Sequence, residues 1–366
     1  MSGKKQRPHV FFALNTLSHA LCSAIVMNRT VKAFIIAIVL CVLSSGCEGK
    51  REHLIQGRTM GTTYHIKVVS GYFQSVSGLK EKIEKRLVEI NAAMSTYQKD
   101  SEISRFNEVN QTGRKFKISA DFYRVMEIAQ DIYQLSDGAW DATVNPLVDL
   151  WGFGRGGAKN KIPQETEIFA LLSNIGFENI EIQEPQYLIK KRAAVTLDLS
   201  SIAKGYGVDQ VADTIRKEGF QNYLVEIGGE VFASGYRKDG KLWRIGINRP
   251  QTDAAFDEVY KVVNLRNRAF ATSGDYRIFF VVDGTRYAHI IDPRTGYPIS
   301  NDVVSVTIIA DTCTFADGLA TAIMVMGPEK GLDLINRLEA VEGLIVAERM
   351  DGSLADFYSR GFDALN

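Results

Sequence analysis

The hydrophobic and polar positions of this chain follow two periods in turn. Thr62–Val69 alternates with period two and predicts a strand, whereas Leu79–Met94 and Asp121–Leu135 carry apolar residues at helical spacing and predict amphipathic helices. Further strands are predicted at Asn222–Ala233, Trp243–Asn248, Tyr276–Val282, Thr285–Ile291 and Val303–Ala310, and further helices near Ala316–Met326 and Glu329–Leu338.

This order of elements favours an α+β fold. Asp283-Gly284 joins two apolar runs and is a strong signal for a two-residue β-hairpin. Hairpins mixed with helices do not fit a doubly wound parallel sheet. The phosphate-loop and Gly-x-Gly-x-x-Gly patterns are both absent from the sequence, so neither common nucleotide-binding scaffold is indicated.

The N-terminus has the pattern of an export signal. The apolar run 33–43 is shorter than the ~20 residues that span a bilayer, basic residues precede it, and Ser44-Ser45-Gly46-Cys47 follows it. A signal that ends in Gly-Cys resembles a bacterial lipoprotein signal, in which Cys47 is lipidated. The alternative is ordinary cleavage, which leaves a soluble periplasmic protein.

We therefore predict a signal region at 1–46, a lipidated N-terminus and linker at 47–53, and one folded domain at 54–366. Met27 is an alternative start, because it opens a signal of ordinary length. The expected location is the bacterial cell envelope, lipid-anchored and facing the periplasm, with the inner and outer membranes both open.

Charge and cysteine content narrow the function. The chain has 43 basic and 43 acidic residues, and since residues 1–46 contain five Lys/Arg and no acid, the remainder is mildly acidic. No basic block is present, so binding to nucleic acid is not expected. Cys313 is the only cysteine beyond Cys47, which excludes an intramolecular disulfide in the domain, and a buried structural thiol is favoured over a nucleophile.

The segment from Asp198 to Gly207 is a candidate phosphate site. A short apolar strand leads into Ser200-Ser201, which suit N-capping, and then into a helix that runs to about Lys217. Lys204 near the start of this helix opposes the helix dipole unless an anion is bound. A lysine and free N–H groups at one helix N-terminus suit phosphate. An ordinary capped helix with a solvated lysine is equally consistent with the pattern.

A second candidate lies in the last part of the chain. Asp317 and Thr321 are four residues apart and share a helical face, and their oxygens suit Mg²⁺. Thr314 and Asp317 also match a capping pattern at the start of a helix, and on the residues alone this alternative is the stronger one.

The remaining candidates are weaker one by one. His289 interrupts an apolar strand just before the turn Asp292-Pro293-Arg294-Thr295-Gly296, where it could be structural or functional. Three short segments, Gly57–Thr62, Met94–Tyr97 and Asp137–Asp141, combine aromatic or thioether groups with small residues. They suit a flat ring system, or equally core packing.

Together and in this order, these segments resemble the FAD:protein FMN transferase family (ApbE type), formerly called thiamine biosynthesis lipoproteins. The likeness runs from Thr59 to Thr321 and includes Glu226-Ile227-Gly228-Gly229-Glu230. One departure is Trp140, where the family commonly has Phe. The resemblance implies a family-specific, two-lobed α+β fold that binds FAD between its lobes with Mg²⁺.

The resemblance also implies residue roles. Met60, Tyr97, Gly138, Ala139, Trp140, Asp198, Lys204 and His289 would contact FAD; Ala203 (through its carbonyl), Asp317 and Thr321 would hold the metal; and Lys204 and His289 would be catalytic, His289 as the base.

The implied reaction splits FAD, attaches FMN through a phosphoester to a Thr or Ser of an acceptor protein, and releases AMP. The expected acceptors are subunits of membrane redox complexes of the NADH:quinone reductase or Rnf type. Two alternatives use the same residues: a Mg²⁺-dependent FAD pyrophosphatase, and a flavin-binding lipoprotein without activity. A serine hydrolase or zinc peptidase is excluded, because neither Gly-x-Ser-x-Gly nor His-Glu-x-x-His occurs.

Overall fold

A computed structural model describes residues 49–154, 161–252, 254–255 and 258–365. The predicted signal, the alternative start at Met27 and the lipidation site at Cys47 lie outside these residues. From Lys50 onward the chain forms one compact unit. No helix in the described ranges combines the length and the apolar character needed to cross a bilayer.

Most helices lie in the first half of the described chain, and the strands between residues 222 and 310 follow one another without a helix between them. The strands are β1 (Arg51–Thr59), β2 (Thr62–Ser70), β3 (Lys115–Lys117), β4 (Ile180–Gln183), β5 (Tyr187–Lys190), β6 (Asn222–Ile227), β7 (Glu230–Ser234), β8 (Trp243–Asn248), β9 (Val259–Leu265), β10 (Arg268–Gly274), β11 (Phe279–Val282), β12 (Thr285–Ala288), β13 (Val303–Ala310), β14 (Glu342–Glu348) and β15 (Leu354–Tyr358). The helices are α1 (Leu79–Met94), α2 (Glu102–Asn107), α3 (Ala120–Leu135), α4 (Asn145–Leu150), α5 (Glu165–Leu172), α6 (Ala203–Lys217), α7 (Cys313–Met326) and α8 (Pro328–Arg337).

The main element is an antiparallel sheet of eight strands in the order β1-β2-β6-β7-β10-β13-β14-β15. Every neighbouring pair in it is antiparallel. Three small sheets accompany it, β3-β5-β4, β8-β9 and β11-β12. This mixture of helices and antiparallel sheets confirms the predicted α+β class.

The two faces of the large sheet are covered differently. On one face α1 and α6 pack on β2 and β6 through residues such as Ile83, Val208 and Val225, and α7 packs on β10 and β13. On the other face the β8–β9 hairpin contributes Trp243 and Val263 to a separate core. Side chains of a strand alternate between the two faces of the sheet. Since both faces are covered at β13, all eight of its residues are buried.

A smaller core lies under the β11–β12 hairpin. Phe280 stacks between Phe153 and Tyr287, with both ring centroids 5.4 Å away, and Tyr287 stacks on Trp151 at 5.5 Å. The hairpin turns at Asp283-Gly284, whose φ angles of 49° and 77° confirm the predicted two-residue turn. The aromatic stack thus holds one face of this hairpin against α4 and α5.

Three predicted boundaries are clearly wrong, and the short strand predicted before Ser200 is absent from the described residues. Asn222–Ala233 is not one strand, because Gly228 and Gly229 take φ angles of 63° and 105° and turn the chain back as the β6–β7 hairpin. Helix α7 begins at Cys313, three residues before the predicted Ala316. The strands around Asp283-Gly284 are shorter than predicted, since β11 begins at Phe279 and β12 ends at Ala288.

Candidate active site

Helices α6 and α7 cap each other with carboxylates. Asp317 of α7 accepts a hydrogen bond from the Gly205 amide in the first turn of α6, at 2.9 Å. Asp209 of α6 accepts from the amides of Cys313 and Thr314 in the first turn of α7, both at 2.8 Å. The helices touch here without room for a side chain, because a Cβ on Gly205 would clash with the Cys313 carbonyl.

This arrangement corrects two capping expectations. The residue that precedes α6 is Ile202, and no side-chain cap closes that helix locally. Ser201 instead accepts the indole N–H of Trp140 at 3.0 Å. Thr314 lies inside α7 and is itself held by Asp209, so the local capping alternative for Asp317 is wrong. Asp317 is therefore directed at α6 and its lysine.

Lys204, Glu230 and Asp317 form a buried charge cluster at this junction. The Lys204 Nζ lies 3.1 Å from Glu230 Oε1 and 3.7 Å from Asp317 Oδ2. The two carboxyl groups are almost fully buried, with Glu230 4% and Asp317 3% exposed, whereas the lysine side chain is 27% exposed. The cluster therefore opens to solvent on the lysine side.

The charges in this cluster do not balance. Burial opposes the charged form of Lys204, but Asp317 and Glu230 outweigh it and raise the lysine pKa, so the side chain is a cation. Burial raises the pKa of both carboxyl groups, and the neighbouring carboxylate adds to this for Glu230. In addition, Glu230 Oε2 is buried and has no hydrogen-bond partner among the described residues. Since two buried carboxyl groups face one lysine, a further cation or a proton is needed to neutralise the charge of this cluster.

Glu230 is a site residue to which the sequence reasoning gave no role. It belongs to the Glu226–Glu230 segment, but only the geometry shows that it binds Lys204. The sequence does contain a sign of this role. Glu230 directly follows a Gly-Gly turn and begins a strand whose next residues, Val231 and Ala233, belong to the core. Since an ionised group is rarely buried without a partner, this position predicts one.

Asp317 and Thr321 lie one helical turn apart, and both face the sheet. The Thr321 hydroxyl is 2.9 Å from the Ser273 hydroxyl at the end of β10 and 3.5 Å from the Asp317 carbonyl. The described residues hold no cluster of three or more His, Cys, Asp or Glu that could ligate a metal. A metal at Asp317 would thus need hydroxyl, carbonyl, water or phosphate oxygens, which is the donor set typical of Mg²⁺.

The β1–β2 turn meets the start of α6 beside this cluster. Met60 occupies the turn at φ 49°, and its methyl group would be 3.0 Å from a Cβ on Gly207. A Cβ on Gly228 would lie 3.4 Å from Lys204 Cδ. The structure thus brings Met60, the Gly-Gly turn and Lys204 together, although they are far apart in sequence.

A separate cavity lies between the Asp137–Asp141 segment and the turn at Asp292–Gly296. It has a volume of about 350 Å³ and is lined by Asp137 and Gly138 on one side and by Pro293 and Arg294 on the other. Gly138 has φ 71°, and a Cβ there would approach Arg294 Cγ to 3.8 Å. Lys204, Glu230 and Asp317 do not line this cavity.

The other expected flavin contacts differ in exposure. Trp140 and Ala139 are buried at 2% and 1% exposure, and Tyr97 is 82% exposed. Asp198 is half-buried and accepts from the Ser200 amide at 2.7 Å, in the loop that enters α6.

His289 follows β12 and has a defined hydrogen-bond geometry. Its Nδ1 lies 3.3 Å from the Ile278 carbonyl oxygen. Because a carbonyl can only accept, Nδ1 carries the proton and Nε2 keeps a free lone pair. Burial lowers the pKa of His289, and the positive charge of Arg286 lowers it further. The hydrogen bond with Ile278 raises the pKa, but by less than these two effects lower it. The ring is therefore neutral near pH 7 and has a basic nitrogen available.

His289 is connected to the charge cluster through β10. Arg286 of β12 donates to the carbonyl and to the carboxylate of Asp275, at 2.8 and 3.1 Å. Asp275 is two residues after Ser273, which contacts Thr321. Within the described part of the chain, no hydrogen bond or ion pair joins His289 directly to Lys204 or Asp317.

Comparison with known proteins decides the family. The ApbE family model matches residues 60–345, which is most of the chain and contains every element of this site. The chain belongs to the ApbE family.

Curated relatives and solved structures agree with this assignment. The FAD:protein FMN transferase of Vibrio cholerae is 42% identical over 88% of this chain and 96% of its own, and that of Haemophilus influenzae is 40% identical over 90% and 96%. The structure of the flavin transferase ApbE from Vibrio cholerae superposes with a TM-score of 0.79 at 41% identity, covering 87% of this chain and all of that one. The apo flavinyl transferase ApbE of Pseudomonas stutzeri gives 0.78 at 36% identity, covering 86% and 97%.

The expected site residues of this ApbE-family chain fall into two groups. Met60, Lys204, Asp317 and Thr321 surround the junction of α6 and α7, and Trp140 reaches the start of α6 through Ser201. Gly138 lies at the cavity beside Arg294, and His289 lies at the β11–β12 hairpin. The first group can bind a pyrophosphate, whereas the second group can bind the remainder of a large ligand and accept a proton.

Proposed function

We propose that this ApbE-family chain is an FAD:protein FMN transferase. The hydroxyl oxygen of an acceptor Thr or Ser bonds to the phosphorus of the FMN half, and the bond between that phosphorus and the AMP oxygen breaks. The products are a protein phosphoester of FMN and AMP. The buried Lys204–Glu230–Asp317 cluster at the meeting point of two helix N-termini is the observation that carries this proposal.

Lys204 is the group that binds the pyrophosphate. Its ammonium is partly exposed and is held by two buried carboxyl groups, so its position is fixed before FAD binds. A fixed positive charge at the bond that breaks stabilises the charge that develops on the leaving phosphate. Gly205 and Gly207 keep this end of α6 free of side chains.

The residues around Asp317 fit Mg²⁺. Asp317 and Thr321 would hold it together with the carbonyl of Ala203, the first residue of α6, and all of these donors are oxygens. The excess of buried carboxylate and the unpartnered Glu230 Oε2 favour a cation at this point. When bound, Mg²⁺ would neutralise phosphate charge and orient the pyrophosphate.

His289 is the base in this proposal. A Thr or Ser hydroxyl is a weak nucleophile, and a neutral imidazole can remove its proton as the new bond forms, an effect worth roughly 10²–10⁴-fold. The Ile278 carbonyl holds the proton on Nδ1 and leaves Nε2 as the basic nitrogen.

The FAD contacts are divided between the junction and the cavity. Met60 and Asp198 would contact FAD near the pyrophosphate site, while Gly138 and Ala139 would contact it through backbone groups at the cavity that Arg294 closes. Trp140 would shape this wall from inside, because its indole is buried and held by Ser201. Tyr97, which is largely exposed, would cover the flavin from the solvent side.

The acceptor and the location complete the proposal. The acceptor would be a subunit of a NADH:quinone reductase or Rnf-type membrane complex. The chain would act at the periplasmic side of the envelope, held by a lipid on Cys47. The signal-like order of 29–47 supports this, and the lipid would keep the enzyme at the surface where such acceptors reside.

Analysis of the products tests the function directly. The protein would be incubated with FAD, Mg²⁺ and the acceptor domain of such a subunit, and the nucleotides separated by chromatography. Equal amounts of AMP and acceptor-bound flavin are expected. Free FMN together with AMP would indicate an FAD pyrophosphatase, and FAD that stays intact would indicate a binding protein.

A further inference from the structure

The outer edge of β11 is an unprotected strand edge next to His289. Among the described residues, β11 pairs with β12 only, so one of its edges has no strand beside it. Its sequence, Phe-Phe-Val-Val, contains no charge and no proline. Soluble proteins normally protect such edges with charged residues, proline or bulges, because an open apolar edge pairs with other chains.

The backbone of this edge is directed outward at two positions. The two-residue turn makes Val282 and Thr285 a hydrogen-bonded pair, and the Ile278–His289 pair continues this alternation. Phe279 therefore lies in a non-hydrogen-bonded pair with its partner on β12, and so does Val281. The N–H and C=O groups of both residues point away from β12.

The side chains along this edge are exposed and apolar. Val281 is 56%, Ile278 54% and Phe279 37% exposed. Ile278 lies opposite His289 across the hairpin. Its carbonyl oxygen accepts hydrogen bonds from the backbone amide and from the ring Nδ1 of His289. The other face of the hairpin is not available, because Phe280 and Tyr287 are packed in the aromatic stack. The open edge thus lies one strand away from the proposed base, and Ile278 at the end of this edge contacts that base.

We propose that the acceptor protein docks by adding an extended segment to the outer edge of β11, and that the Thr or Ser just beyond the Ile278 end of this segment reaches His289. This inference rests on the proposed function, since flavin transfer requires a polypeptide hydroxyl at this place. Strand addition uses backbone hydrogen bonds for affinity and alternate side chains for specificity.

The test compares two valines in equivalent settings. Val281→Lys places a charge on the edge of β11. Val259→Lys is the matched control, because Val259 is 54% exposed and also belongs to a two-stranded hairpin, β8–β9. The acceptor domain from the product assay is the probe, and the KM for this domain, kcat and the affinity for FAD are measured. Val281→Lys is expected to raise the acceptor KM about tenfold while FAD affinity stays unchanged, a change equivalent to the loss of one good interface contact.

A second variant addresses the backbone directly. Val281→Pro removes only an N–H that points away from β12, a position where strands tolerate proline. It should also raise the acceptor KM and keep FAD binding. If both variants transfer flavin like Val259→Lys, the docking inference is wrong. If they transfer normally but convert a wild-type dimer into a monomer in sedimentation, the edge serves self-association and the inference is again wrong. A wild-type chain that labels no acceptor would reject the proposed function, and the docking with it.

Discussion

Glu230 shows how a single residue can determine the character of this site. Its carboxyl group lies 3.1 Å from the Lys204 ammonium, nearer than Asp317 at 3.7 Å, so the ammonium is not bound by Asp317 alone. A lysine bound only by Asp317 would compete with a metal for the same oxygen. We therefore interpret Glu230 as a positioning residue that keeps Asp317 available.

Replacing Glu230 tests this interpretation. Glu230→Gln keeps the shape but removes the charge, and a hydrogen bond to a charged group is worth about 1.5–3 kcal/mol. We expect kcat/KM for FAD to fall roughly tenfold to a hundredfold and the Mg²⁺ concentration for half-maximal rate to rise. Glu226→Gln is the control, because Glu226 lies across the same turn but binds His65 and the Gly229 amide. An unchanged Mg²⁺ requirement in Glu230→Gln would reject the positioning role.

The pH dependence of transfer reports on His289. The base must be neutral, and burial lowers the pKa of His289 below its ordinary value of about 6.5. The rate should therefore decline at acidic pH with a midpoint below 6.5. The measurement is kcat/KM for the acceptor between about pH 5 and 8. A decline centred above pH 6.5, or the same profile in His289→Ala, would contradict the assignment.

The pairing of α6 with α7 is the feature at the scale of elements that builds the site. Each helix supplies a carboxylate to the first turn of the other, Asp317 to α6 and Asp209 to α7. The two N-termini therefore meet at one point, where each partial positive charge is met by the carboxylate of the other helix. Cys313 lies inside this contact as a fully buried thiol, as the sequence predicted.

The cap from Asp209 should be a measurable part of stability. Asp209→Ala removes the acceptor for two amides and the Thr314 hydroxyl, and the free energy of unfolding should fall by about 2 kcal/mol. Asp213→Ala, one turn further along α6, is the control, because Asp213 makes only surface ion pairs with Arg216 and Lys217. Its cost should be within about 1 kcal/mol. If urea denaturation shows the same decrease in the free energy of unfolding for both variants, the cap does not contribute more than a surface ion pair.

Periodicity predicted the regular elements but not their junctions. The pattern predicted α1 and β13 with their observed ends, because both bury a regular set of positions. It missed the break at Gly228-Gly229 and the true start of α7. The start of α7 depends on a contact between residues about a hundred positions apart, that of Asp209 with Cys313, which no local pattern contains. The Gly-Gly turn is a local feature that the strand pattern overlooked.

The site residues show the same limit. Asp317, Thr321 and Lys204 were predicted as candidates from local patterns strengthened by a family resemblance. The resemblance included Glu230 in a motif, but only the fold places it 3.1 Å from Lys204. Similarly, the proton position on His289 depends on Ile278, which the hairpin brings to it.

The whole molecule joins a rigid sheet to a smaller hairpin unit. The eight-stranded sheet and its helices hold the charge cluster, while the β11–β12 hairpin holds His289 and is attached to β10 through Arg286 and Asp275. In the proposed function, the pyrophosphate would bind on the large sheet and the acceptor at the hairpin. This division suits an enzyme with one small and one macromolecular substrate.

The predicted anchor can be tested at the same scale. Cys47→Ser removes the lipidation site and should move most of the protein from the membrane fraction to the periplasmic extract. Cys41→Ser changes the same atom within the apolar run of the signal and should leave the protein membrane-bound. Cell fractionation with detection of the protein measures both, and a Cys47→Ser variant that stays with the membranes would reject lipid anchoring.

The central claim is that this chain transfers FMN from FAD to another protein through the Lys204–Glu230–Asp317 site. The most direct measurement is the intact mass of the acceptor domain after incubation with the enzyme, FAD and Mg²⁺. The wild-type chain should add the mass of one FMN phosphoester, and EDTA or Asp317→Ala should abolish the gain. An acceptor of unchanged mass, or a gain that persists with EDTA and in Asp317→Ala, would contradict the account.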